Sequence, residues 1–229
     1  MTTQSVVAAA SVALFLLSSA YAQTQASQED LASISHEGVL ELTWDHVDDS
    51  TDVAAATLEY AVAARLGGRW TIQSSLVLEP VAEADGDAYF HGEGAYLDTL
   101  SVQYAGDAFT LYAGKISPVF GSAAAIAPGL YGAEIGESYE LVEMVGAGGD
   151  VNLAAMIPGL AGEHVLSAAL FMKDRSVLSD SIGTSRGRLE LTDGGVGNTQ
   201  GLKSHSLSLD GATRTGSGQS LGMRPLAGI

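Results

Sequence analysis

Apolar and polar residues alternate one by one along much of this chain, and that period constrains the fold more than any other feature. Leu40-Glu41-Leu42-Thr43-Trp44-Asp45 is the first clear run. Leu58-Glu59-Tyr60-Ala61-Val62-Ala63-Ala64-Arg65-Leu66 and Trp70-Thr71-Ile72-Gln73-Ser74-Ser75-Leu76 follow it. Successive side chains of a strand point to opposite faces, so each run has one apolar and one polar side. Behind a secretory signal, in a chain without cysteine, the pattern predicts an all-β fold: an antiparallel transmembrane β-barrel with lipid outside and water inside.

The secretory signal is read from residues 1–22. Val6 to Leu17 are apolar, and Ala20-Tyr21-Ala22 fits a small-x-small cleavage site, although Met1 to Ser5 hold no Lys or Arg. An apolar stretch of about 12 residues is too short to span a bilayer as a helix. A short lead-in is expected over 23–36, barrel strands and loops over 37–211, and an irregular segment over 212–229. No later stretch offers about 18 unbroken apolar residues, which excludes a helical membrane protein. Zero cysteines exclude a disulfide framework and any Cys-based metal site.

Charge narrows the partners. Asp plus Glu number 27 against 10 Lys plus Arg, so there is no positive field to meet a nucleic-acid backbone. Up to Glu163 the cations are Arg65, Arg69 and Lys115, and the others lie between Lys173 and Arg224.

Strands are expected at 39–46, 55–66, 70–79, 96–105, 108–116, 139–146, 150–157, 163–173 and 203–210. Glycines cluster between them. Gly67-Gly68, Ala105-Gly106-Asp107 and Gly146-Ala147-Gly148-Gly149 read as tight hairpin turns. Longer links fall at 47–54, 80–95 and 117–138. Short turns on one side and long loops on the other suit an outer-membrane barrel with a periplasmic N-terminus. The rhythm breaks after residue 157, where 158–162 is short and 174–202 is long. Within that last link, 184–200 is polar and glycine-rich, as a surface loop would be. Strand 139–146 is the weakest, since Glu143 shares a face with Leu141 and the segment could equally be a helical turn.

The alternation assigns faces. Leu40, Leu42, Trp44, Leu58, Tyr60, Val62, Leu66, Trp70, Ile72, Leu76, Leu100, Val102, Tyr104, Phe109 and Leu111 are expected toward lipid. Glu41, Thr43, Asp45, Glu59, Arg65, Thr71, Gln73, Thr99, Ser101, Gln103 and Thr110 are expected toward the lumen. Trp44, Trp70 and Tyr104 fall near strand ends, where interfacial aromatic girdles sit. A secreted soluble β-sandwich that binds a ligand or partner shows the same alternation on its inner face, and stands as the alternative.

Signals for other chemistry are poor. Asp85-Gly86-Asp87 has Tyr89 where a calcium loop wants an oxygen ligand, and His36, His46, His91, His164 and His205 lack zinc spacing. Gly146-Ala147-Gly148-Gly149-Asp150-Val151 lacks the third glycine of a dinucleotide fingerprint. Glu140 with Glu143, or Asp98 with Glu93, are the carboxylate pairs nearest to a hydrolase arrangement. Strand residues three apart point to opposite faces, so Glu140 and Glu143 would not cooperate unless that segment is helical. Neither an enzyme nor a cofactor or metal is expected.

Gly114-Lys115-Ile116-Ser117-Pro118-Val119-Phe120-Gly121 joins a strand end to a proline that stops ladder pairing and a glycine that opens a loop. The segment resembles the Gly-Lys/Gln-aromatic-x-x-Pro-x-Phe-Gly motif of Gram-negative porins, especially the phosphate-selective group, with Ile116 where the family has an aromatic. The likeness of general pattern runs from Glu37 to about Asp210. It implies an outer-membrane channel for passive diffusion of small hydrophilic solutes or ions, in contact with outer-membrane lipid and possible as a homotrimer. It also implies that the loop after the motif, Ser117 to Ser138, folds inward with Glu134, Glu137 and Lys115 as its charged groups; an external loop with solvated carboxylates is the other option. The pore-lining candidates are thus Glu41, Asp45, Glu59, Arg65, Lys115, Glu134 and Glu137. With so few lumen cations, a weak cation preference is expected in place of phosphate selectivity. The family's aromatic-ended closing strand is absent, so the chain reads as the N-terminal part of a longer barrel or as one with an altered C-terminus.

Overall fold

The computed structural model describes residues 7–18, 32–47, 52–83, 85–119 and 141–212. They form an antiparallel meander. Nine strands lie side by side in chain order: β1 (Val7–Ser18), β2 (Ser33–Val47), β3 (Asp52–Arg65), β4 (Trp70–Pro80), β6 (Glu93–Ala105), β7 (Phe109–Ile116), β8 (Met144–Asn152), β9 (Glu163–Lys173) and β11 (Ser204–Ala212). Two short strands flank this path: β5 (Ala88–Tyr89) runs parallel to β3, and β10 (Ile182–Gly183) pairs with β6. Among the described residues the sheet is open. Its edges are β1 and β11, so an antiparallel β-sheet is present and a closed barrel is not.

The strands are longer than their alternating runs suggest. The run 39–46 grows to 15 residues in β2, and its start at Ser33 falls inside the expected lead-in. β3 has 14 residues, and β6 has 13 and begins within the expected link 80–95. Val7–Ser18, inside the expected signal, pairs with β2 along its whole length, from Val7 opposite Val47 to Ser18 opposite His36. The expected segment 212–229 lies outside the described residues from 213 onward.

One expectation is overturned at 139–157. Gly146-Ala147-Gly148-Gly149 is not a turn between two strands but the middle of β8. The glycines are there because neighbouring side chains occupy their Cβ positions. A Cβ on Gly148 would lie 2.7 Å from the Tyr112 ring, and one on Gly146 would lie 2.2 Å from the Leu170 carbonyl oxygen. Glycine inside a strand marks such close approach as readily as it marks a turn. The expected strand 150–157 stops at Asn152, whose side-chain Oδ1 accepts from the Ala154 and Ala155 N–H groups at 3.0 and 3.4 Å and caps the one-turn helix α1 (Leu153–Met156). With Met144–Asn152 as the single strand here, the connections past residue 152 continue the up-and-down order. Connections at 66–69, 106–108 and 153–162 lie at one end of the sheet; the long ones before β6, β8 and β11 lie at the other, together with the four-residue 48–51 that stands where the longer link 47–54 was expected.

Ladder register fixes two faces. Leu40 lies opposite Leu58, Leu58 opposite Leu78, Ile72 opposite Val102, and Tyr104 opposite Leu111. The same side continues through Val151, Leu166 and Leu209. The other side carries Glu41, Thr57, Gln73, Ser101, Tyr112, Ser167 and Ser208. A bulge between β4 and β6 passes from Thr99 opposite Ser75 to Leu97 opposite Leu76 and leaves Asp98 as the extra residue.

Burial reverses what a water-soluble sheet would show. The apolar face is exposed: Leu111 is 53% and Leu207 71% accessible, with Leu42, Trp44, Leu76, Val102, Phe109 and Leu170 alongside. The small buried core of Ile116, Leu141, Met144, Ala169 and Phe171, with Tyr112 packed against it, lies on the polar side. It sits beneath the segment 174–202.

Candidate functional site: the polar face and the segment across it

The register keeps Glu41 and Asp45 of β2, Glu59 and Arg65 of β3, and Gln73, Ser101, Gln103 and Thr110 of their neighbours on one face. The expected division of these residues between two faces is the observed one, except that Lys115, a pore-lining candidate, stands in the ladder on the apolar face. Leu66 alone lies beyond its strand, at the short turn after β3. Arg65 stands at that same end, opposite Ser33 and Thr71. Glu134 and Glu137, and all of 117–138 after Val119, lie outside the described residues.

Among the described residues, the long link packed on the polar face is 174–202. The segment 174–202 crosses the polar side at the long-link end. Gly197 fixes it to the core: its carbonyl accepts from the Lys173 N–H at 2.8 Å, and a Cβ on it would meet Met144 and Phe171. Ser176 caps a 3-10 turn at Val177–Ser179 by accepting from the Leu178 N–H. Asp180 gathers the next turn, accepting from the Ser185 hydroxyl and the Ser181 and Gly187 N–H groups. The Ser185 bond and those amides hold its carboxyl below the usual range. Arg186 then reaches back, stacks 3.5 Å over the Tyr96 ring and donates to the Ser179 carbonyl and to Glu143.

Lys115 is the centre of the arrangement. Its ladder partners, Leu100 and Val145, belong to the apolar face. Yet its Nζ lies 2.8 Å from Glu143, 3.2 Å from Asp174 and 2.9 Å from the Leu178 carbonyl, with the side chain only 2% exposed. Gly114, at φ 139°, interrupts the regular strand just before it, and Lys115 and Ile116 are consecutively buried. Asp174 is 1% exposed. Burial alone would push its carboxyl up, but the N–H and hydroxyl of Ser176 and the Lys115 ammonium outweigh it and hold the group below the usual range. Glu143 is held at φ 54°, a conformation that costs a non-glycine residue about 1–2 kcal/mol and persists here under two cationic contacts.

Asp174, Arg186 and Tyr96 escaped the sequence reading, since no spacing connects residues so far apart in the chain. The seven late cations were the available signal: one of them, Arg186, returns to a carboxylate 43 positions earlier.

At the opposite end, Trp70 and Tyr104 meet edge to face with ring centroids 5.0 Å apart, and Tyr104 lies 6.1 Å from Phe109. Arg69 and Asp107 pair across the two short turns beside them. Of the other sequence candidates, Asp87 accepts from the Asp52 N–H in an exposed loop. Glu140 lies outside the described residues, and Glu143 serves the ion network. No group of three or more metal-binding side chains occurs among the described residues.

Comparison with protein-family models, curated proteins and solved structures finds no match to this chain. The geometry stands alone.

Proposed function

We propose that this chain builds the wall of a porin-like β-barrel in the outer membrane, through which small hydrophilic solutes or ions diffuse passively. The observation that carries the proposal is the inverted burial. A wide apolar face stands exposed across the sheet, while the polar face holds the buried core and a folded segment. Apolar patches beyond a few hundred Å² mark contact with lipid or a partner. Strand length favours lipid: β2, β3, β4 and β6 have 15, 14, 11 and 13 residues. A tilted membrane strand needs about 9–11 residues, and strands of soluble sheets average about 5–6. The Trp70–Tyr104–Phe109 cluster at the short-turn end has the composition and strand-end position that an interfacial girdle requires. In this proposal the N-terminal segment directs export, the polar face keeps water continuous, and 174–202 narrows the path.

A soluble β-sandwich would need a second sheet packed on the apolar face. None is present among the described residues.

Fractionation of cells expressing the chain, followed by gel electrophoresis with and without boiling, tests the proposal. Recovery in the outer membrane with a heat-dependent mobility shift is expected of a closed barrel. A soluble product with one mobility would overturn it.

A further inference from the structure

We infer that the path along the polar face passes cations in preference to anions, a refinement that rests on the porin-like proposal above. Two observations carry it: where the carboxylates stand, and what the nearby cations are already doing.

Register places Glu37, Glu41, Asp45 and Glu59 together on the polar face of β2 and β3, with Asp150 and Asp210 on the same face of β8 and β11. A hollow of about 300 Å³ opens on that face, with Glu37, Val39, Glu59, Ala61 and Ser75 in its lining. Among the described residues, no Lys or Arg forms an ion pair with Glu37, Glu41, Asp45 or Glu59. A hydrated solute entering the hollow therefore meets two carboxylates with no cation paired to them.

Among the described residues, the two most buried cations near this face are engaged elsewhere. Lys115 is buried against Glu143, Asp174 and a carbonyl. Arg186 lies flat on Tyr96 and pairs with the same Glu143. Together they hold 174–202 down and offer no ladder of donors to an anion. Two strand cations remain on this face: Arg65, which stands at the short-turn end, and Lys173 of β9, whose Nζ donates to the Val142 carbonyl at 2.9 Å. Rings of carboxylates along a pore favour cations by raising their local concentration and opposing anion entry.

The test is the reversal potential of the purified protein in a planar bilayer separating two KCl concentrations. The expected sign is that of a potassium-selective path. The potassium-to-chloride permeability ratio should fall several-fold in the E37Q/E59Q double variant, which removes charge at nearly constant volume. A chloride-selective sign in the native chain, or a ratio unmoved by the double variant, would overturn the inference and leave the channel standing. Absence of any conductance from correctly inserted protein would instead remove the porin-like proposal, and this inference with it.

Discussion

Leu58 and Glu59 are adjacent in β3 and differ in everything that surrounds them. Leu58 lies between Leu40 and Leu78 on the exposed apolar face; Glu59 lies opposite Val39 and Val77 on the polar one. In the proposed barrel, arginine at position 58 would place a charge in hydrocarbon, at a cost of about 2–4 kcal/mol near the midplane. At position 59 it would sit in water, within about 0.5 kcal/mol of neutral. Folded yield in the outer membrane should therefore collapse for L58R and hold for E59R; equal yields would contradict the face assignment. Gly146 carries a second residue-scale expectation. G146A drives a methyl group into the Leu170 carbonyl, and overpacking of this kind costs about 1–3 kcal/mol, readable as a lower urea midpoint. Alternation made the first of these sites legible in the sequence. The second was misread, because a run of glycines looks the same whether it turns the chain or makes room for the ring of Tyr112.

At the scale of elements, the segment 174–202 is held by charge. Breaking a buried ion pair from one side costs about 3–5 kcal/mol, because the partner is left uncompensated. K115A leaves Asp174 without its cation and Glu143 with Arg186 alone, so the 174–199 amides should lose protection in hydrogen exchange; R186A should do so less, since Arg186 is more exposed. Unchanged protection in K115A would contradict the role given to Lys115. Acid should act in the same direction. Asp174 has a folded pKa below its unfolded one, so its stabilisation is complete above the ordinary carboxylate value of about 3.9 and is lost as pH falls through the lowered value. Protection should persist from neutral pH down to about 4 and decline below that. The sequence pointed to an inward-folding link at 117–138, which after Val119 lies outside the described residues. The link the structure shows on the polar face is 174–202, because Lys115 and Glu143 recruit Asp174 and Arg186 from far along the chain.

Across the whole molecule, the sheet does not close on itself among the described residues. Removal of Val7–Ser18 with a cleaved signal would make β2 the edge and leave eight long strands, an even number whose first and last ends share the short-turn side. Single-chain bacterial barrels have this parity. The polar side of this sheet accommodates 174–202, and in the proposed channel that segment takes up part of the cross-section. Shortening 174–202 by deleting 184–198 should accordingly raise single-channel conductance; an unchanged value would mean that the segment stands clear of the path. Period-two alternation by itself determined the strands from β2 to β7, their faces and the short-turn end, because each strand's two sides follow from local geometry. The continuity of β8, the burial of Lys115, the small core on the polar side and the identity of the covering segment were decided by tertiary structure. Each depends on residues brought together across the sheet, and side-chain volume and charge pairing over such distances leave no periodic trace in the chain.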